Sequence, residues 1–376
     1  MANMAKNATR PGSNRHLGLL TVVVFALTAC AGQRPVVAPV VTAARMLAVL
    51  EVPDVAESGA VVVLDPADGR LLYRLRVGYD PALAASPDGS RLYVASNATA
   101  PDGQPLPGRP VPELWVVDRI SGQIVAKSPL PDRAMNTMPT STPSLAVSVD
   151  GRYVYATRMR TLVPGTDRHS VAVLDAASGR ELADVELPGC VFSSLLPVRD
   201  GLRVACLGGG EVFAITPGAD GRFPAERQQL DAGMTVATAA TGAESARLLV
   251  VTPTGVLFEF DGSLRVVRQR LLDVPAAKEA YGVGAVSSDG RLLYVGLRNR
   301  GANPELTDVV VVALDAWQQL GTVPLPVPVW SIASGPPANL FAADREGGSV
   351  FVLDGASVTV IRRLQGLATP ALAIGR

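Results

Sequence analysis

Val61-Val62-Val63-Leu64-Asp65 with Gly69 just beyond, Leu114-Trp115-Val116-Val117-Asp118 with Gly122, and Val171-Ala172-Val173-Leu174-Asp175 with Gly179 are one phrase written three times. Looser copies are Val212-Phe213-Ala214-Ile215-Thr216, Leu257-Phe258-Glu259-Phe260-Asp261, Val311-Val312-Ala313-Leu314-Asp315 and Val350-Phe351-Val352-Leu353-Asp354, which makes seven. A second phrase precedes each, a Ser-Pro-Asp-Gly-like turn and then a short strand with an aromatic. Ser86-Pro87-Asp88-Gly89 leads to Leu92-Tyr93-Val94, Ser148-Val149-Asp150-Gly151 to Tyr153-Val154-Tyr155, and Ser288-Asp289-Gly290 to Leu293-Tyr294-Val295. Arg203-Val204-Ala205, Arg247–Val250 and Leu340-Phe341-Ala342 are degenerate copies, and Met46–Leu50 is a seventh without its turn.

Asp-Gly turns close tight hairpins, because Gly takes positive φ freely and Asp tolerates it. A run such as Val61–Leu64 is apolar at every position, the pattern of a strand covered on both faces. Stacked propeller blades give that cover and leave only short edges. Residues 45–376 divided by seven give about 47 residues per repeat, the size of a four-stranded blade. The chain is therefore expected to be all-β, a seven-bladed β-propeller of four-stranded blades, in preference to two stacked β-domains or a ring of eight. The last repeat ends on a first-strand phrase, Ala371-Leu372-Ala373-Ile374, while Met46–Leu50 is a second strand without a first. One blade should be stitched from both, closing the ring by pairing strand 46–50 with strand 371–374.

Residues 1–29 read as a targeting leader outside the fold. Lys6, Arg10 and Arg15 form a positive start, and Leu17–Ala26 an apolar run too short to span a bilayer as a helix of about 20 residues. Leu27-Thr28-Ala29-Cys30 then resembles the bacterial lipobox, whose small residues admit a peptidase and whose thiol accepts a diacylglyceryl group. Residues 30–44, rich in Pro, Val and Ala, read as the lipidated Cys30 and a flexible tether, and residues 45–376 as the propeller. Buried lipid methylenes contribute about 0.8 kcal/mol each, and two or three chains on one Cys make a lasting anchor. The expected address is the cell envelope, on the extracytoplasmic side of a membrane, periplasmic or at the cell surface.

The three basic residues before Cys30 face no acid, which leaves 31 basic and 34 acidic groups after it, a net charge of −3. A nucleic-acid binder needs a basic patch, so that class is excluded. Two cysteines remain, Cys190 and Cys206. An exported chain favours their pairing. Folding a hairpin about Val198-Arg199-Asp200-Gly201 sets position 190 opposite 206, and a bond closing such a loop contributes about 3 kcal/mol. The alternative is two buried free thiols.

Most catalytic templates fail on inventory. Only His16 and His169 are present, and the first lies in the leader. A His-rich metal site is excluded, and a Ser-His-Asp triad has only His169, which is expected in a surface loop beside Asp167 and Arg168. Gly208-Gly209-Gly210 lacks the following Lys-Ser/Thr of a phosphate loop and reads as a tight turn. The strand-end aspartates recur too regularly for a metal ring and are taken as turn caps. No catalytic residue, metal or cofactor is assigned to this chain.

Long connections differ between repeats, and function sits on such loops. Asn97–Pro112, Arg158–Ser170 and Leu297–Thr307 each join a second strand to a third, and Pro131–Pro143, with Met135 and Met138, joins two blades. These connections emerge on one face. They should bring Arg158, Arg160, Tyr281, Arg298, Arg300 and Trp330 to the mouth of the channel, a basic funnel for a small anion or an acidic side chain of a partner protein.

Val171–Asp175 with Gly179, then Val185-Glu186-Leu187-Pro188-Gly189-Cys190 and a second Cys one hairpin later, resembles the heavy chain of bacterial methylamine and aromatic amine dehydrogenases. The likeness continues through Arg247–Phe260 and Val309–Asp315, and the cues are also similar to YVTN-type propellers of exported proteins. It implies seven blades and a similarly placed disulfide. It also implies that the tryptophan-derived quinone and catalytic base belong to a separate light chain, so no catalytic residue carries over. This chain departs in having a lipobox and only a short arm before its first blade. The leading expectation is a non-enzymatic, membrane-tethered binding or scaffold propeller; the alternative is the large subunit of a periplasmic amine dehydrogenase-like complex. Replacing Cys30 by Ser is expected to move the protein from the detergent phase to the aqueous phase in a cloud-point partition.

Overall fold

The second and third strands of the repeat bury both of their faces, and the layers between blades follow from that. The computed structural model describes residues 46–51, 59–97, 113–130, 145–161, 167–190, 192–207, 209–230, 236, 238–241, 247–282, 284–301, 305–335 and 339–375. All belong to one unit, Val41–Arg376. Residues 1–45, with the expected leader, lipidation at Cys30 and tether, and residues 98–112 and 131–144 lie outside the described residues.

Each blade is an antiparallel sheet whose strands follow one another in chain order, except that blade 1 begins with the last strand of the chain. Blade 1 joins Pro370–Gly375, Leu47–Glu51, Ala60–Leu64 and Leu71–Arg76. Blade 2 is Tyr79–Ala85, Arg91–Asn97, Glu113–Asp118 and Ile124–Pro129; blade 3 is Leu145–Val147, Tyr153–Thr161, Asp167–Asp175 and Glu181–Glu186. Blade 4 is Phe192–Val198, Gly201–Leu207, Glu211–Ile215 and Ala225–Gln229; blade 5 is Thr238–Thr241, Leu248–Val251, Val256–Phe260 and Val266–Leu271. Blade 6 is Lys278–Ala280 with Ala285–Val286, then Leu292–Asn299, Leu306–Ala313 and Gln318–Val329. Blade 7 is Ser331–Gly335, Asn339–Asp344, Ser349–Asp354 and Val360–Gln365. The chain is a seven-bladed β-propeller, as the repeats predict.

Seven apolar clusters lie one between each pair of neighbouring blades. Alternation along one strand feeds two of them. Leu47 and Val49 pack toward blade 7, whereas Ala48 and Leu50 pack toward blade 2. Both faces of a strand are therefore core, and the period-two signal of a half-exposed strand disappears. First strands of consecutive blades touch from blade 2 round to blade 1, and between blades 1 and 2 the strand Leu47–Glu51 touches Tyr79–Ala85.

The ring closes where the repeat phase places it. Leu47 pairs with Gly375, Ala48 with Ile374, Val49 with Ala373 and Leu50 with Leu372. Glu51, buried at the end of this strand, accepts the Ala368 N–H at 2.8 Å and pairs with Arg74 at 3.0 Å. At the other end, the buried Arg119 of blade 2 donates to the Met46 carbonyl. The Arg119 carbonyl in turn accepts Tyr73 Oη–H at 2.9 Å.

Two local expectations need correction. The Cys190–Cys206 disulfide forms, with Cα atoms 5.2 Å apart, but the hairpin register sets Cys206 opposite Ser193. The hairpin turns between the paired Val198 and Gly201, so three fewer residues separate facing positions than were expected. Cys190 instead sits in the turn after Leu187, to whose carbonyl its N–H donates at 3.2 Å, so the bond ties an interblade connection to a second strand. The stretch 158–170 is mostly not loop. Second and third strands of blade 3 pair as far as Thr161 with Asp167, which makes Arg158, Arg160 and His169 strand residues.

First-to-second and third-to-fourth turns share one end of the ring, the lower face; second-to-third turns and interblade connections share the upper. Met46, at the start of a second strand, marks the lower face. Gly122 closes a lower turn at φ 71°, and a Cβ there would lie 2.9 Å from the Tyr73 ring of blade 1. Positive φ costs an L-residue about 1–2 kcal/mol. Gly122→Ala is expected to lower the urea unfolding free energy by at least that amount, with the loss enlarged by displacement of Tyr73.

Candidate functional site

Blade 6 has the one first strand among the described residues that is split in two. Lys278–Ala280 pairs with Leu297–Asn299 and Ala285–Val286 with Leu293–Tyr294. Between the halves, Gly282 takes φ 80°, and Tyr281 turns away while its N–H still reaches the Gly296 carbonyl at 3.0 Å. The break leaves the Tyr281 ring under Arg298, whose guanidinium carbon lies 3.6 Å from the ring centroid. Arg298 also donates through Nε to Glu279 Oε1 at 2.8 Å. Such a stack holds a guanidinium in place at little entropic cost, because the planar fork is already fixed.

Beside it, Lys278 pairs with the buried Asp308, which also accepts the Thr307 hydroxyl at 2.7 Å. Arg300 is exposed, and its Nε donates to the Lys278 carbonyl at 3.1 Å. Arg298 and Lys278 thus have carboxylate partners. Among the described residues Arg300 has none, so it is the cation this cluster offers to solvent.

Trp330 lies in the connection from blade 6 to blade 7, and Arg345 stands 4.8 Å above its ring. Its neighbours Val329 and Ile332 belong to the apolar layer against which Tyr281 packs. Glu305, at the edge of the same region, has its pKa raised by burial and then by the charges of Glu346 and Asp344. The upper surface of blades 6 and 7 therefore alternates basic, aromatic and acidic groups.

The six residues expected at a common mouth do not all meet. Tyr281, Arg298 and Arg300 form one cluster, with Trp330 beyond it on the adjoining connection. Arg158 is buried, with 1% of its side chain exposed, and pairs with Glu181 at 2.9 Å and Asp184 at 4.0 Å. A guanidinium held there is a strut of blade 3 and reaches no mouth. The Arg160 backbone pairs with Arg168, and its side chain is outside the described residues. His169 is a half-buried strand residue whose carbonyl accepts the Leu187 N–H at 2.8 Å. Sequence reasoning missed Glu279, Lys278, Asp308 and Arg345, none of which stands in a repeated phrase.

The strand-end aspartates cap their own turns. Asp118 accepts the Ser121 N–H at 2.8 Å, Asp175 the Ser178 N–H at 2.7 Å, and Asp354 the Ser357 N–H at 2.8 Å. Asp88 binds the Ser86 hydroxyl at 2.5 Å. Among the described residues no group of three or more His, Cys, Asp or Glu side chains is placed to hold a metal ion.

No protein-family model matches the chain, and no curated protein matches it in sequence. Solved structures do. The dihydro-heme d1 dehydrogenase NirN, in complex with DHE, aligns over 86% of this chain with a TM-score of 0.54 at 18% identity. The chain spans 64% of that protein's length. A protein of Bacteroides fragilis, provisionally named a 6-phosphogluconolactonase, aligns over 88% of this chain and 97% of its own, with a TM-score of 0.61 at 15% identity. The Cps50 (Swd1) β-propeller domain of Myceliophteria thermophila covers 77% of this chain and 87% of its own, with a TM-score of 0.55 at 14% identity. They share its fold. At these identities the likeness reaches no further, since one fold carries many functions.

The turn caps give a pH dependence. The Ser86 hydroxyl, and then Ser90, pull the Asp88 pKa down to about 2; Asp118, Asp175, Asp289 and Asp354 are lowered by serine or backbone donors in the same way. A carboxylate with a depressed folded pKa adds stability above its ordinary value, and that stability is lost as pH falls through the folded one. Urea midpoints are expected to hold down to about pH 5, where free Asp begins to take up protons, and to fall from there toward about pH 2. Ser86→Ala should flatten that fall.

Proposed function

We propose that the protein is a non-enzymatic binding or scaffold propeller, held on the extracytoplasmic side of a membrane by lipid on Cys30. In this reading it offers the upper surface of blades 6 and 7 to a small anion or to an acidic segment of a protein partner. The observation that carries the reading is Arg300, an exposed guanidinium beside the Arg298–Tyr281 stack with no carboxylate partner among the described residues. A pre-positioned cation of this kind steers acidic ligands and suits planar anions. The residue inventory supports a role without chemistry, since the single histidine beyond the leader is a strand residue and the two cysteines after Cys30 are bonded to each other.

A second reading, the large subunit of an amine dehydrogenase-like complex, draws on the disulfide-tied hairpin of blade 4. In that case the quinone and the base would reside in a small partner chain, and this chain would supply the platform.

Gentle detergent extraction of the lipidated protein, followed by affinity capture and mass spectrometry, separates the two. The binding reading expects a ligand or partner whose recovery falls at least tenfold with Arg300→Glu and is kept with the remote Arg222→Glu. Recovery of a stoichiometric small subunit carrying a quinone would favour the second reading. Its absence sinks it.

A further inference from the structure

We propose that the lower rim of blades 7, 1 and 2 rests on the lipid surface to which the chain is anchored, fixing the upper face outward. The inference rests on the lipid anchor at Cys30 and adds an orientation to it. Three observations converge. Apolar side chains begin the outer strands on this rim: Leu71 is 53% exposed, Val125 56% and Ile361 56%, with Ile120, Ile124 and Val360 beside them. The same strands are charged toward the upper face, at Arg74 and Arg76 in blade 1 and Lys127 in blade 2. Polarity therefore changes along each strand, not around the ring.

The second observation is continuity. Tyr73, two residues past Leu71 across a β-bulge, donates to the Arg119 carbonyl of blade 2, and Ile120 is the next residue. On the other side, Arg362, next to Ile361, donates to the Pro66 carbonyl of blade 1 at 3.4 Å. The six side chains thus form one arc across three blades. Similar residues, such as Leu182 and Val267, begin outer strands elsewhere, so the arc is the densest part of a longer belt.

The third is the point where the chain enters. Met46 lies on the lower face of blade 1, the middle of the arc, with its carbonyl held by Arg119. Cys30 is 16 residues earlier, a reach of at most about 55 Å. An anchor so close makes docking intramolecular, at an effective concentration in the millimolar range, so a modest apolar patch suffices. The turns of this rim carry paired charges, such as Arg70 within 3.9 Å of Asp65 and 3.8 Å of Asp68, which suit a zwitterionic headgroup layer.

The test uses the full lipidated chain in phosphatidylcholine vesicles containing tail-brominated lipid. A single thiol is introduced as Gln123→Cys beside the arc or as Glu346→Cys on the upper face, and each is labelled with a small fluorophore. Docking predicts at least twofold stronger quenching at position 123 than at 346, reduced to the level of 346 by Ile120→Ser with Val125→Ser. Equal quenching, or quenching indifferent to the serines, overturns the proposal. Shielding of position 123 that persists in detergent also overturns it, because the tether or a second copy then covers the arc. The mass of the Cys30 peptide separates the two failures. Unmodified Cys30 removes anchor and docking together, whereas lipidated Cys30 with equal quenching removes docking alone.

Discussion

Two-sided burial is the constraint from which the structure follows. A single blade exposes two apolar faces and cannot be stable alone. Seven layers, each shared by neighbours, bury them all, and only a closed ring leaves no face over. Burying a Val or Leu contributes about 1.5–3 kcal/mol, so a strand such as Ala60–Leu64 adds substantially to two interfaces at once. The innermost strands are rich in Ala, Ser and Thr because seven of them converge on one axis. Buried carboxylates are paired: Glu51, Glu211, Asp308 and Asp344 lie beside Arg74, Arg227, Lys278 and Arg363.

What the sequence makes legible is what repeats locally. Blade number, strand order and the stitched blade are readable because each depends on a phrase confined to a few residues and on its phase. Degenerate copies have physical causes. Val358 occupies the positive-φ place that Gly122 holds in blade 2, with the same i to i+4 turn bond from its N–H. It is buried between blades 6 and 7, where apolar burial offsets the backbone cost. A search for Asp and Gly passes over it.

The candidate site was less legible, for the opposite reason. Lys278 meets Asp308 from 30 residues away, and Arg345 meets Trp330 across two elements. Neither partner is marked by a repeat. Arg158 was misplaced because nothing in Met159–Thr161 signals that strand pairing continues past the usual blade height. The disulfide partners were readable from cysteine count and context, while their register depended on one turn whose length two readings of four residues can fit.

The stitched blade also bears on when the chain can finish folding. Its inner strand, residues 370–375, must find Leu47–Glu51 across almost the whole length of the fold. Contacts of that sequence separation form slowly. Until the last strand has emerged, blade 7 and the strand Leu47–Glu51 each keep an open apolar side. A polypeptide that emerges N-terminus first therefore stays incomplete until residues 370–375 are out, and a chaperone would find its binding surface at that seam.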